Sequence, residues 1–269
     1  MGRHDMEIKK EMRQKILEEN IKEHSIEAEY YDLIHKEIFN TYEQERIKCS
    51  LKKLICGFQK NIKVLDVGSG TGNMTEKIIS ICGDENIDVT IHAVDISEEM
   101  QGMMKEKLAG DQVKIKYFRT DIDSFIISTM DEYDMIVFSS VLHHLPDYIN
   151  TLKKCLNKTK DEGYVYATHE PLNTRLISDS FIFRVLNFAD KMFYLLYRAF
   201  LILFRKVPRL DRDTDFSDYH TGAKGIKPEI LKENFNNISV QYYAQGYFLT
   251  SAKNYFNYKD SFEIILKRD

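Results

Sequence analysis

The strongest chemical signal in the chain is the run Val64-Leu65-Asp66-Val67-Gly68-Ser69-Gly70-Thr71-Gly72. A short apolar stretch ends in a glycine-rich turn, and a helix pattern follows. Glycines let the backbone turn tightly and approach a ligand closely. The free N–H groups that open the next helix can meet a ligand's polar atoms. A dinucleotide fingerprint would read G-x-G-x-x-G. Position 73 is Asn, so the spacing is G-x-G-x-G, with Asp66 two residues before the first glycine. Three more segments follow in order: Asp95, ending Ile91-His92-Ala93-Val94-Asp95; Thr120-Asp121-Ile122; and Phe138-Ser139-Ser140-Val141-Leu142-His143-His144-Leu145-Pro146-Asp147. A carboxylate at 95 can accept two hydrogen bonds from ribose hydroxyls. A neutral imidazole at 143 or 144 is suited to taking a proton near neutral pH. Plainer readings stand beside these. Asp66 and Asp121 could cap turns, Asp95 could only open a helix, and both histidines could simply pack.

These residues need elements to hold them. Apolar runs at 64–67, 89–94, 113–118, 134–138 and 164–168 read as strands, and 75–82, 98–108 and 148–156 read as helices. Repeated strand–helix units predict an α/β fold with a doubly wound, mostly parallel sheet. Such a sheet binds ligands at the carboxyl ends of its strands, with the switch point here at 68–72. Two later strands, 238–243 and 261–266, show no clear helix between them and are expected to add an antiparallel hairpin at the edge. No Pro or Gly interrupts residues 3–56, so 1–60 reads as an N-terminal helical extension to a domain at 61–269. Residues 172–227 read as an insertion, an apolar helix at 180–206 followed by a loop long enough to be a lid.

The 269 residues carry 38 Lys+Arg and 42 Asp+Glu, a net charge of −4, which argues against a nucleic-acid partner. The four cysteines have no C-x-x-C spacing and no clustered histidines, so no metal site is expected. Scattered thiols, and a charged N-terminus without an apolar leader pattern, point to a cytoplasmic setting. Residues 172–210 differ from the rest, with seven Lys/Arg against two Asp. There Arg184, Asn187, Lys191, Tyr194, Arg198 and Arg205 form one polar stripe on an apolar cylinder. Three readings of that helix stay open: a membrane span, interrupted at a cost by its charges; a peripheral helix on an anionic bilayer, with Arg205, Lys206 and Arg209 near headgroups; or a lid or homodimer contact beside an apolar pocket.

The four ordered motifs resemble those of class I S-adenosylmethionine (SAM)-dependent methyltransferases, in particular the small-molecule branch that includes ubiquinone and menaquinone-type enzymes. The resemblance covers 61–170 well and nearly vanishes over 172–210. It implies a seven-stranded Rossmann-like sheet, SAM as cofactor, and methyl transfer to an O, N or C nucleophile of a small, apolar or amphipathic acceptor. The cofactor-side residues it implies are Asp66, Gly68, Ser69, Gly70, Thr71, Gly72, Asp95, Ile96, Asp121, Ile122 and Ser139. His143 and His144 are the candidates for a general base. Tyr31, His169 and His220 are the candidates for acceptor contact. Two alternatives remain in view: a non-catalytic SAM-binding subunit that recruits a partner or membrane through 180–206, and a nicotinamide-dependent dehydrogenase.

Overall fold

In β1 (Ile62–Val67) every residue but Lys63 is buried, the signature of a parallel strand covered on both faces. The computed structural model describes residues 3–111, 113–173, 180–205, 207, 220 and 224–268, with side chains from residue 11 onward. Within them β2 (Val89–Asp95), β3 (Lys114–Arg119), β4 (Tyr133–Ser139), β5 (Thr159–Pro171), β6 (Ile238–Tyr243) and β7 (Ser261–Lys267) join β1 in a seven-stranded sheet of order β3-β2-β1-β4-β5-β7-β6. The first five strands run parallel, and β7 lies antiparallel between β5 and β6. Strand order reverses between β1 and β4, so the crossover connections after them leave in opposite directions from the switch point.

Alternation along the strands feeds two cores. Leu65, Val67, Ile136 and Phe138 pack on one face with α7 (Ile122–Ser128) and α8 (Tyr148–Leu156). Val64, Met135, Val137 and Tyr166 pack on the other with α4 (Thr41–Ile55) and α5 (Asn73–Asp84). The remaining crossover helix, α6 (Glu98–Lys107), opens at Ser97, whose hydroxyl accepts from the Met100 N–H at 3.2 Å.

The structure differs from the sequence reading in three places. The N-terminal extension is broken into α1 (Arg3–Glu27), a 3-10 turn (Ala28–Tyr30), α2 (Tyr31–Ile34), α3 (Lys36–Phe39) and α4. The break before α4 has a local cause, since the Asn40 side chain accepts from the Glu43 N–H at 3.0 Å and starts a new helix. Short helices occupy α7 and α10 (Pro228–Asn234), and α11 (Thr250–Tyr255) lies between the two strands expected to form a plain hairpin. Six or seven residues give too little periodicity to register as helix. Finally, β5 begins five residues early, through a bulged pairing with β4.

The α1–α3 segment is clamped by His35. Its two ring nitrogens lie 3.1 Å from Glu27 and 2.7 Å from Glu37, so both are donors to carboxylates. Burial pushes this imidazolium down, but Glu37 and Glu27 outweigh it and hold it up to about 9. The long helix α9 (Phe181–Phe204) is fixed by its one acid. Asp190 accepts from the N–H groups of Tyr247, Phe248 and Leu249 and from Lys253 Nζ, at 2.8–3.0 Å.

Two predictions test these anchors. Asp190→Ala removes the counter-ion of the buried Lys253 ammonium, which keeps the Gln245 carbonyl at 3.1 Å, strands three N–H groups, and is expected to cost about 3–5 kcal/mol in urea unfolding; a change below 1 kcal/mol would show that water replaces the carboxylate. His35 has a folded pKa above its ordinary ~6.5, so its stabilisation is complete below that pH and is lost as pH rises through about 9. Wild-type unfolding free energy should fall by on the order of 3 kcal/mol over that window, and His35→Gln should flatten the curve; equal slopes would remove His35 from the clamp.

Candidate active site

The turns after β1, β2, β3 and β4, together with α1, enclose a cavity of about 790 Å3, within the range of small-molecule sites. Gly68 and Gly70 line it with φ of 62° and 51°. A Cβ on Gly68 would overlap the Val141 side chain, so the turn and the loop after β4 approach this closely only with glycine at 68. Gly72 does not face the cavity. It caps α5 at φ 89° and lies against Met104. Ser69 and Thr71 are buried behind the turn, and the Thr71 hydroxyl donates to Asp32 at 2.6 Å, tying the turn to the N-terminal segment.

The acids separate into distinct places. Asp95 lines the cavity, and its two oxygens accept from the N–H groups of Gly70 and Ser97, each at 2.8 Å. Burial pushes its carboxyl up despite those bonds. Asp66 lies behind the cavity wall, one residue before Val67, and takes the Thr75 hydroxyl at 2.7 Å. Its other oxygen is buried with no hydrogen-bond partner among the described residues, and burial, with Asp95 adding to it, pushes it up to about 7. Asp121 lines the cavity beside Ile122 and also caps α7 through Ser124. Burial raises its pKa, but the Ser124 bond and Arg13 at 2.8 Å outweigh that and hold it below the usual range. Ile96 and Ser139 line the cavity as well.

The two histidines take different roles. His144 lines the cavity, with the His24 ring edge-on at 5.6 Å between centroids. His143 turns away, its Nδ1 2.9 Å from Glu170. That carboxylate, fully buried, also accepts from the N–H groups of Val141, Leu142 and His143 at 2.9–3.1 Å. Glu170 therefore sets the course of the loop that carries His144.

Of the residues expected to touch the acceptor, only Tyr31 reaches the cavity, its ring tilted against that of His35 with the centroids 4.2 Å apart. His169 is a correction. It is buried between Ser139 Oγ at 3.1 Å and Glu43 at 2.8 Å, so it cannot meet an acceptor. His220 is another. Its N–H donates to the His143 carbonyl at 2.8 Å and its ring packs on Tyr148, outside the cavity lining. Its neighbours Asp218 and Tyr219 lie outside the described residues, as do Lys206 and Arg209. No described residue of α9 lines the cavity, and most of the loop expected to act as a lid lies outside the described residues. The wall expected from that helix comes instead from α1, through Met12, Arg13, Ile16, Leu17, Asn20 and His24. Those positions share one helical face, a signal that was available in the sequence.

These residues fit a SAM-type ligand. Asn20, on the α1 wall of the cavity, holds a buried oxygen with no hydrogen-bond partner among the described residues, and such an atom is costly unless a ligand or water satisfies it.

Comparison with known proteins agrees. Residues 22–191, more than half of the chain, match the family described as a methyltransferase domain. The chain is 25% identical over 136 residues to a ubiquinone biosynthesis O-methyltransferase of Nitrosospira multiformis, covering 51% of this chain and 52% of that one. It is 27% identical over 139 residues to the highly reducing polyketide synthase GPY1 of Gibberella fujikuroi, covering 50% of this chain and 5% of that one. The chain thus spans about half the length of that ubiquinone-pathway relative. Among solved structures, the DhpI complex with S-adenosylhomocysteine superposes at TM-score 0.52 with 13% identity, covering 95% of this chain and 98% of that one. The DszA carbon methyltransferase gives 0.54 with 14% identity, covering 86% and 55%. Both show the fold. A nicotinamide-dependent dehydrogenase is not favoured by any of these matches, and the chain belongs to the SAM-dependent methyltransferase-domain family.

Proposed function

We propose that this chain moves a methyl group from SAM to an O, N or C nucleophile of a small, apolar or amphipathic acceptor. One observation carries the reading: a single cavity joins the glycine turn and the carboxylates of Asp95 and Asp121, among four that line it, to apolar side chains and the imidazoles of His24 and His144. Gly68, Gly70, Asp95 and Asp121 offer the polar contacts a nucleoside and an amino-acid group need. Met12, Ile16, Leu17 and Leu145 offer an apolar surface to an acceptor. When bound, SAM supplies an activated methyl electrophile, so the protein's contribution is mainly proximity and alignment.

The chain's own residues divide that work. The glycine turn and Asp95 hold the cofactor end. α1 and Tyr31 cover the cavity and keep water from it. His144, on the cavity surface, takes the proton of a hydroxyl acceptor and is dispensable for a neutral amine. His143 is a positioning residue, because its ring and N–H both bind Glu170 rather than face the cavity. A non-catalytic SAM-binding subunit would need no imidazole on the cavity wall. The decisive experiment incubates the protein with methyl-labelled SAM and a cell extract and follows both the label and S-adenosylhomocysteine; binding of SAM with no turnover on any pool would favour that alternative.

Two variants sharpen the reading. Asp95→Ala should weaken SAM binding in calorimetry by about 1.5–3 kcal/mol, the range for a hydrogen bond to a charged group; an unchanged Kd would take Asp95 out of the site. His144→Ala should lower kcat with a hydroxyl acceptor by roughly 10²–10⁴-fold while SAM affinity holds; full turnover at saturating SAM would end its role as the base.

A further inference from the structure

The long helix α9 presents its apolar side to solvent. Phe181, Val185, Phe188, Met192, Leu195 and Ala199 recur at alternating spacings of four and three and are all exposed. Phe188 is 70% exposed and Leu203, one turn past Ala199, is 74% exposed. The side turned inward is the more polar one. Asp190 is buried against Lys253, the Asn187 amide donates to the Tyr258 hydroxyl at 2.8 Å, and the Tyr194 hydroxyl donates to the Ile34 carbonyl at 2.9 Å. A helix of a soluble protein is ordinarily arranged the other way round. Exposed apolar patches of this kind mark a binding surface.

The charges say what binds. Arg184, Lys191, Arg198 and Arg205 follow one another every seven residues, along one rim of the apolar ridge. Arg184, Lys191 and Arg205 are exposed and Arg198 is half-buried, while Asp190, the only acid on the helix, is buried. Every exposed charge on α9 is therefore positive. A second copy of this helix does not complement that pattern. Antiparallel pairing would set the cationic rim against itself, and parallel pairing would set it against Ala189, Leu196 and Leu203, with no acid to meet it. The apolar arc is also too wide for a two-helix seam, because Ile182, Phe193, Phe200 and Phe204 extend it to one side. Tyr255 and Phe256 at the end of α11, which packs on α9, are exposed as well. Among the described residues no helix is long and apolar enough to cross a membrane.

We propose that α9 lies flat on a bilayer that contains anionic lipid, its phenylalanine-rich ridge among the upper acyl chains and its basic rim at the phosphates. Twenty-four residues give a contact about 36 Å long at 1.5 Å per residue. The contact is separate from the cavity, although Tyr194 and Tyr197 join α9 to the carbonyls of Ile34 and Leu33, close to Tyr31.

Flotation of the full chain tests this, with vesicles of phosphatidylcholine alone and of phosphatidylcholine mixed with phosphatidylglycerol. The protein should float with the mixed vesicles and not with the neutral ones, and 0.5 M salt should release it. Phe188→Asp with Leu196→Asp should abolish binding while SAM affinity and the unfolding midpoint stay unchanged. Lys191→Glu, two charge steps of about fivefold each, should weaken partitioning roughly 25-fold. If the double variant unfolds, Lys191→Glu and the salt series decide alone. The proposal is overturned by failure to bind the mixed vesicles, by binding that ignores both Lys191→Glu and salt, or by a folded double variant that still floats. It is also overturned by a dimer in analytical ultracentrifugation that the double variant dissociates, since a second copy would then cover the ridge.

Discussion

The close approach of Gly68 to Val141 governs the geometry of this protein's cavity. Two loops leave the sheet at its switch point, one after β1 and one after β4, and they meet where a Cβ would not fit. That contact holds only if each loop is fixed from its other side. Asp95 does this for the first, accepting the Gly70 N–H. Glu170 does it for the second, accepting three successive N–H groups from Val141 to His143. Both are buried carboxylates whose charge is met by backbone donors, the arrangement that makes a buried acid tolerable. The cavity is thus shaped by backbone held on carboxylates, and side chains such as His144 are placed as a consequence.

A second buried network joins the N-terminal helices to the sheet. Glu43 on α4 binds Arg46 and His169, and Arg46 also reaches Glu263 on β7 and the Thr168 hydroxyl on β5 at 2.8 Å. The Tyr166 hydroxyl donates to Glu263 at 2.8 Å, and the Arg46 guanidinium lies over the Tyr243 ring. His169 connects this network to Ser139 on the cavity wall. By contrast, α1 is held to the sheet end by contacts at the surface, among them Arg13 with Asp121 and Asp123 and Ser25 with Glu99. Half-exposed ion pairs of this type are worth little individually. The extension is thus seated by a buried polar network at α4, and at α1 by surface pairs together with the buried Ile16 and the Glu27–His35 contact, and α1 is the part that lines the cavity.

The sheet is legible in the sequence because buried parallel strands leave continuous apolar runs, and because a glycine-rich turn between a strand and a helix marks the carboxyl edge of such a sheet. The Ile238–Tyr243 strand and the Tyr148–Leu156 helix were readable to the residue. What the sequence could not convey depends on contacts far apart in the chain. His143 and His144 are chemically identical neighbours, and only the placement of Glu170 separates them. His169 looked available because it follows a strand end, yet it is enclosed by Glu43 from 126 residues away. The α1 wall is hidden for a different reason: a charged extension with a few apolar residues at helical spacing shows that it packs on something, but not on what.

The long helix was the least legible element, since an apolar cylinder with one polar stripe can be turned either way. The stripe has two edges with different fates. Asp190, with three backbone N–H groups and Lys253 to satisfy, must face inward, and Asn187 and Tyr194 follow it to the Tyr258 hydroxyl and the Ile34 carbonyl. Rotating the helix to hide its ridge would strand those groups. Keeping it as it is leaves several large side chains in water, each forfeiting about 1.5–3 kcal/mol of burial. Eleven large apolar side chains of α9 are exposed, so the orientation is economical only if a further surface takes up the ridge.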